Sequence, residues 1–135
     1  MTVTVADVLN YPKLPASHGK KLFFDSPGFH VWIHADRPGE KGPMHKHTAD
    51  EIFYCVQGTC TFHFPDRASQ PMRPGMVIMI PKGDFYRLDN NGSEYLILLG
   101  ARAEANQLPR FSPENEVVRE GGTIDVGIDM PAQTL

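Results

Sequence analysis

The sequence predicts an all-β domain, a sandwich or a barrel, on three observations. Twelve prolines and 12 glycines are scattered between short apolar runs over 135 residues, which favours many strands and turns over long helices. Runs of β-branched and aromatic residues recur roughly every 8 to 12 residues, the rhythm of sandwiches and barrels. Two of those runs flank a Gln57-Gly58 turn signal.

In chain order, the first segment reads as a short helix or strand to Leu9, followed by a connection marked by Pro12 and Pro15. Lys21–Phe24 and Phe29–His34 read as strands, the second because it is aromatic and β-branched. Arg37–Pro43 is a loop by composition. Glu51–Val56 and Thr59–Phe64 read as the arms of a hairpin. Pro71–Gly75 is a turn, Met76–Ile80 a strand, Pro81–Asp84 a turn and Phe85–Leu88 a strand, broken by Asn90-Asn91-Gly92. Residues 94–100 form the last strand, and from Arg102 onward the sequence reads as an extended tail able to wrap the barrel or a second subunit.

Treating Gln57-Gly58 as a two-residue loop pairs Cys55 with Cys60, Phe53 with Phe62 and Glu51 with Phe64. One face then carries Glu51, Phe53, Cys55, Cys60, Phe62 and Phe64; the other carries Tyr54, Thr59, Thr61 and His63. The first is the buried face, and a buried carboxylate at its end needs a cation or a hydrogen-bond partner. The same register makes Cys55 and Cys60 cross-strand neighbours, expected to stay reduced as two small buried thiols.

A net charge of -3 with no polybasic cluster gives no electrostatic footprint for nucleic acid. The longest apolar run, Tyr95–Leu99, has strand length, and the first residues lack the basic start and apolar core of a signal peptide. A cytoplasmic protein is therefore expected, with no membrane partner.

His45 and His47 lie two residues apart on one face of an extended segment, and Glu51 follows after Thr48-Ala49-Asp50. If that face points into the barrel, two imidazoles and a carboxylate converge, a donor set suited to divalent iron, manganese, nickel or zinc. The plainer alternative, polar residues beside a surface loop, is weakened because Glu51 opens the apolar face. His18, His30, His34 and His63 have no partner at ligand spacing and are left unassigned.

These residues also carry a family resemblance. Gly39, His45, His47, Glu51 and Gly58 stand in the register of the first cupin motif; Gly75, Pro81, Gly83 and Asn90 stand in that of the second. The chain therefore resembles a small single-domain cupin. The resemblance implies a double-stranded β-helix (jelly-roll) barrel over about residues 29–100, with a short N-terminal extension and a C-terminal tail over about 101–135. It further implies a divalent transition metal on His45, His47 and Glu51, with iron slightly favoured, and a dioxygenase acting on a small organic substrate. A lyase or isomerase using the metal as Lewis acid, and a non-catalytic sensor or storage protein, are the rival readings. Single-barrel cupins often pair through an edge strand and exchanged termini, so a homodimer is expected.

One position departs from the motif. Tyr86 stands where the family usually has its fourth ligand, a histidine. It could bind ferric iron as a phenolate, act as a neutral phenol that orients or protonates substrate, or mark a pocket that has lost its metal. Tyr86 is thus the candidate catalytic residue. Strand parity adds Phe53, Phe62 and Leu88 as an apolar substrate pocket. Trp32, Met44 and Met79 are expected chiefly in core packing, and Arg73 and Arg87 on the solvated surface.

Overall fold

Side chains alternate strictly along the strands, and that period of two divides the chain into an inner and an outer set. A computed structural model describes residues 2–10, 19–106, 110–111, 113–114 and 117–118. Pro12, Pro15, His18 and most of the tail lie outside the described residues. After a single 3-10 turn at Val8–Asn10, the strands are β1 (Gly19–Asp25), β2 (His30–Asp36), β3 (Glu51–Gln57), β4 (Cys60–His63) and β5 (Gln70–Met72). They continue as β6 (Val77–Ile80), β7 (Arg87–Asp89), β8 (Leu96–Arg102), β9 (Arg110–Phe111) and β10 (Val117–Val118).

Five strands form one antiparallel sheet in the order β1-β2-β8-β3-β6, and three form a second in the order β5-β4-β7. The short β9 and β10 pair with each other, and Phe111 bridges back to Lys46. The two main sheets face one another as a double-stranded β-helix. Among the described residues no helix is long and apolar enough to cross a membrane.

The strand assignments from sequence hold in outline, but the hairpin does not. β3 pairs with β8 and β6, whereas β4 pairs with β5 and β7. Gln57-Gly58 therefore carries the chain from one sheet to the other instead of folding it back on itself. Gly58 has φ +82°, and a Cβ there would lie 2.7 Å from the Tyr95 carbonyl oxygen. Only glycine fits this close corner without strain. Cys55 and Cys60 are consequently not cross-strand neighbours. Both are free thiols in the core between the sheets, where burial pushes Cys55 up to about 11 and Cys60 to about 12.

Inward parity survives the change of partner, since it depends on each strand alone. Glu51, Phe53, Cys55, Cys60 and Phe62 are all buried, and Tyr54 and Thr59 are exposed. Thr61, expected on the outer face, is buried, and its hydroxyl accepts a hydrogen bond from Asn91 Nδ2. The sequence reading also missed β5, which lies partly in the predicted Pro71–Gly75 turn, because three residues around a proline carry no strand periodicity.

Strand β8 is the spine of the larger sheet. Of its inward residues, Leu98, Gly100 and Arg102 form successive rows with β2 and β3: His34–Leu98–Cys55, then Trp32–Gly100–Phe53, then His30–Arg102–Glu51. The rows pass from an apolar floor to a charged rim. On the opposite face Ile33, Ala35 and Ile97 make a second cluster, against which Val8, Phe23 and Tyr95 pack.

Gly100 is a steric requirement of the middle row. A Cβ there would lie 2.6 Å from Trp32 Cζ2 and 3.0 Å from Phe53 Cε1. Its absence lets the two rings meet edge to face at 5.6 Å. Gly100→Ala should overpack this row and destabilise the fold by about 1–3 kcal/mol. Urea denaturation and the near-ultraviolet signal of Trp32 would check this; a variant unchanged in both would show that the row has room to spare.

Candidate functional site

The segment before β3 is extended and pinned from two sides. His45 and Tyr86 exchange backbone hydrogen bonds of 2.9 Å in both directions, and the amide of Gly83 donates to His47 O at 3.0 Å. Lys46, between the histidines, exchanges backbone bonds with Phe111. Asp50 anchors the approach to β3 by accepting the Lys82 amide on Oδ1 at 2.8 Å and the Ala103 amide on its carbonyl at 3.0 Å. The two histidines, two residues apart, therefore project the same way, and their rings meet edge to face at 4.9 Å. Tyr86 packs on His45 at 4.5 Å and on Phe62 at 5.8 Å, and is buried.

These groups sit at one wall of a pocket enclosing about 620 Å³ of space, its open mouth included. His45, His47, Tyr86, Phe53, Leu88 and Trp32 line its interior, with Arg102 beside them. Lys20, Glu40 and Lys41 also belong to the lining, as do His34 and Asp36, which are joined at 3.0 Å. Phe53 and Leu88 thus stand on the wall, as the sequence places them. Phe62 does not: it is fully buried behind it, its ring 5.6 Å from that of Phe53. Its inward parity is right, but of the register partners Phe62 and Leu88 only Leu88 reaches the cavity. Met79 is exposed on the outer face, Arg73 is exposed, and Arg87 pairs with Asp89 at 3.3 Å.

Glu51 is buried at the end of the third row and its partner is Arg102. Arg102 Nε donates to Glu51 Oε2 at 2.9 Å, and Nη2 donates to His47 Nε2 at 3.1 Å. A guanidinium only donates, so His47 Nε2 is the acceptor and its proton sits on Nδ1. Arg102 also stands 4.8 Å over the Trp32 ring and 3.9 Å from Glu104 Oε2. Glu104 is itself tied to the site: its carboxylate accepts from Thr48 Oγ1 and its carbonyl accepts from His30 Nδ1 at 2.7 Å. Burial pushes the Glu51 carboxyl above its ordinary range, against the pull of the Arg102 charge and of the Tyr86 hydroxyl.

Arg102 was not identified from the sequence. Reading residues 94–100 as the last strand left it in the tail, two residues short of the true end of β8. The inward parity of Leu96 and Leu98, carried on to residue 102, would have turned it into the barrel, and the register with β3 sets it opposite Glu51.

A metal would be held by His45, His47 and Glu51, and the donor atoms bear on whether it fits. His45 Nδ1 donates to Pro43 O at 2.8 Å, which in the neutral ring leaves the lone pair on Nε2. Glu51 Oε1 is buried without a hydrogen bond, 4.0 Å from His47 Nε2. Against this, Arg102 takes both His47 Nε2 and Glu51 Oε2. Among the described residues no three His, Cys, Asp or Glu side chains stand together at metal-holding spacing. As arranged, the cluster fits a guanidinium better than a divalent ion.

Two consequences follow from this electrostatic layout. Arg102→Met would strand Glu51 as a buried unpaired charge and should cost about 3–5 kcal/mol, while Glu51→Leu/Arg102→Met should recover most of that loss. Urea denaturation of both proteins decides it; a cost of the single variant near zero would contradict a buried pair. His30, stacked on Trp32 at 4.8 Å, is held below the ordinary histidine range by burial, with Lys20 and Arg102 adding to the effect against the Glu104 carbonyl. The unfolded chain then binds the proton first. Stability should therefore fall as pH drops below about 6.5 toward the folded midpoint. Ring NMR resonances of His30 that titrate at or above 6.5 would overturn this.

Comparison with known proteins agrees with this architecture. The cupin domain profile matches residues 32–101, just over half of the chain. Auxin-binding protein 1 of Arabidopsis thaliana is 29% identical over 77 residues, which cover 51% of this chain and 39% of that protein. The matched part thus spans about two fifths of that relative's length. Among solved structures, a double-stranded β-helix protein from Klebsiella pneumoniae aligns with a TM-score of 0.66 at 15% identity, covering 78% of this chain and 93% of its own. The cupin domain of Schizosaccharomyces pombe Cnp3 aligns at 0.66 and 20% identity, covering 74% of each chain. DMSP lyase DddQ from Ruegeria pomeroyi aligns at 0.63 and 15% identity, covering 83% of this chain and 61% of its own. Identities this low speak to the fold alone.

Proposed function

Given that the chain belongs to the cupin family, we propose that its barrel pocket binds a small organic molecule and acts on it by acid–base chemistry. The observation that carries this reading is the convergence of His45, Tyr86 and Arg102 on one pocket with Trp32, Phe53 and Leu88 in its lining. Trp32, Phe53 and Leu88 supply the surface against which the ligand packs. The Tyr86 hydroxyl serves as hydrogen-bond donor and general acid, and His45, oriented through Nδ1 by the Pro43 carbonyl, presents Nε2 as base. Such a pair suits elimination or isomerisation, in which a proton leaves one atom and another is delivered nearby.

The dioxygenase chemistry implied by the motif would need a metal with open coordination positions for substrate and oxygen. Arg102 on His47 and Glu51 favours the acid–base reading over it. The fold is shared with an auxin-binding protein and a lyase, so both a binding and a catalytic use of such a barrel have precedent.

Trp32 is the chain's single tryptophan and lines the pocket, so its fluorescence reports occupancy directly. A panel of small organic compounds should yield ligands that quench or shift Trp32. Tyr86→Phe and His45→Gln should each weaken their binding by about tenfold, the value of one lost hydrogen bond near 1.4 kcal/mol. Mass spectrometry of incubated ligands reports conversion. Binding indifferent to both substitutions would refute the assignment of the site, and binding without conversion would reduce the pocket to a receptor.

A further inference from the structure

Arg102 has donors to spare. Of its five N–H groups, that on Nε is committed to Glu51 and one on Nη2 to His47. Among the described residues Nη1 makes no hydrogen bond, and Glu104 Oε2 stands 3.9 Å from it. Yet the side chain is buried and lines the pocket. A guanidinium on a pocket wall with donors uncommitted can give them to a ligand that brings lone pairs. Lys20 lies on the same wall, its Nζ 4.8 Å over the Trp32 ring that Arg102 also covers. Lys20 Nζ donates to Asn106 Oδ1 at 2.9 Å, and its charge adds to that of Arg102 in favouring an anionic ligand.

We infer that Arg102 is the resident cation of this pocket, standing in the electrostatic place of a divalent metal and receiving the carboxylate of a small organic acid. The inference rests on the barrel pocket being the ligand site and adds the chemical class of the ligand. Its logic is one of charge. Glu51 carries a single negative charge, and the guanidinium already balances it while occupying the His47 lone pair. A divalent ion would have to displace Arg102 from both atoms and then tolerate it as a neighbour of like charge. A ligand carboxylate leaves both of those bonds in place, because Arg102 lines the cavity and Nη1 is committed to neither Glu51 nor His47.

The test uses the full-length protein, purified without a histidine tag. Zinc, nickel and cobalt would be titrated by calorimetry, with bound metal counted by elemental analysis. Separately, Trp32 fluorescence would be followed against acetate, propionate, succinate and benzoate and against their primary amides. The inference expects no stoichiometric metal in the parent protein. At least one acid should bind ten times more tightly than its amide, and that preference should be lost in Arg102→Gln or Arg102→Lys. Arg102→Leu, with His45, His47 and Glu51 intact, should gain affinity for metal by at least tenfold. Stoichiometric metal in the parent, lost in Glu51→Gln, would overturn the inference. So would amides that bind as well as the acids, an absence of any saturating acid up to about 10 mM, or a folded Arg102→Leu protein no better at taking metal. If the arginine variants do not fold, the parent protein's metal content and its acid–amide ratio still decide. Ligands that depend on Tyr86 and His45 but ignore Arg102 would leave the pocket assignment standing and remove this inference alone.

Discussion

The ion pair between Glu51 and Arg102 is the constraint around which the polar half of the barrel is arranged. The two residues are direct register partners on adjacent strands, and both side chains turn inward. Taking two charges out of water costs several kcal/mol per ion, so the pair must recover that cost through geometry. The recovery is visible in what converges on it: the His47 lone pair on Nη2, the Trp32 face beneath the guanidinium, and Glu104 at the far end. Glu104 in turn holds Thr48 and His30. A buried pair of this kind is poor evidence for net stability, but it is expensive to break from one side. That asymmetry fixes the third row of the barrel more firmly than its energy would suggest.

Below it the same strands do a different task with the same period. On β8 the inward positions pass from Leu96 and Leu98 through Gly100 to Arg102. On β3 they pass from Cys55 through Phe53 to Glu51. Each strand thus has one end in the core and the other at the site, with Phe53 of the middle row already lining the pocket. Gly100 is where the two regimes meet. Lacking a side chain, it lets Trp32 and Phe53 close over the apolar floor and form the surface on which Arg102 rests. A pocket built this way has rigid walls, since its lining residues are also core residues, and rigidity of the supporting shell is what holds acid and base in a productive geometry.

How much of this could be read from the sequence follows from which physical signals are local. Strand identity and inward parity are local, so the strands and the buried face of Glu51, Phe53, Cys55, Cys60 and Phe62 were legible. Strand partnership is not local. A glycine turn between two β-rich runs fits a hairpin and a sheet-switching corner equally well, and the space beside Gly58 that decides between them is set by Tyr95, far along the chain. Parity also cannot tell which of two paired inward residues reaches the cavity, and here Leu88 does while Phe62 is fully buried. Arg102 was lost for another reason. It is a cation just past an apolar run, which looks like a strand terminus in solvent until β3 is laid beside it. Placing the polar set at residues 45–51 needed only spacing; knowing what Glu51 pairs with needed the register.

That difference bears on what a ligand-capable motif can establish. Two imidazoles and a carboxylate are donors for a metal, but they are equally acceptors for a guanidinium. The choice depends on the charge of the fourth partner, not on the three themselves. With an uncharged group at position 102, Glu51 would be a buried carboxylate in want of a cation, and a divalent ion would answer that need. With arginine there the need is already met by a planar fork whose Nε and Nη2 reach a carboxylate oxygen and an imidazole nitrogen. Tyr86 fits the same logic. A phenol hydroxyl can give a hydrogen bond or a proton to a ligand in the pocket, whereas a histidine nitrogen bound to a metal has none to give. Tyr86, at the expected ligand position, and Arg102, outside the motif, thus both support the proposed reading of a site that hydrogen-bonds an organic anion.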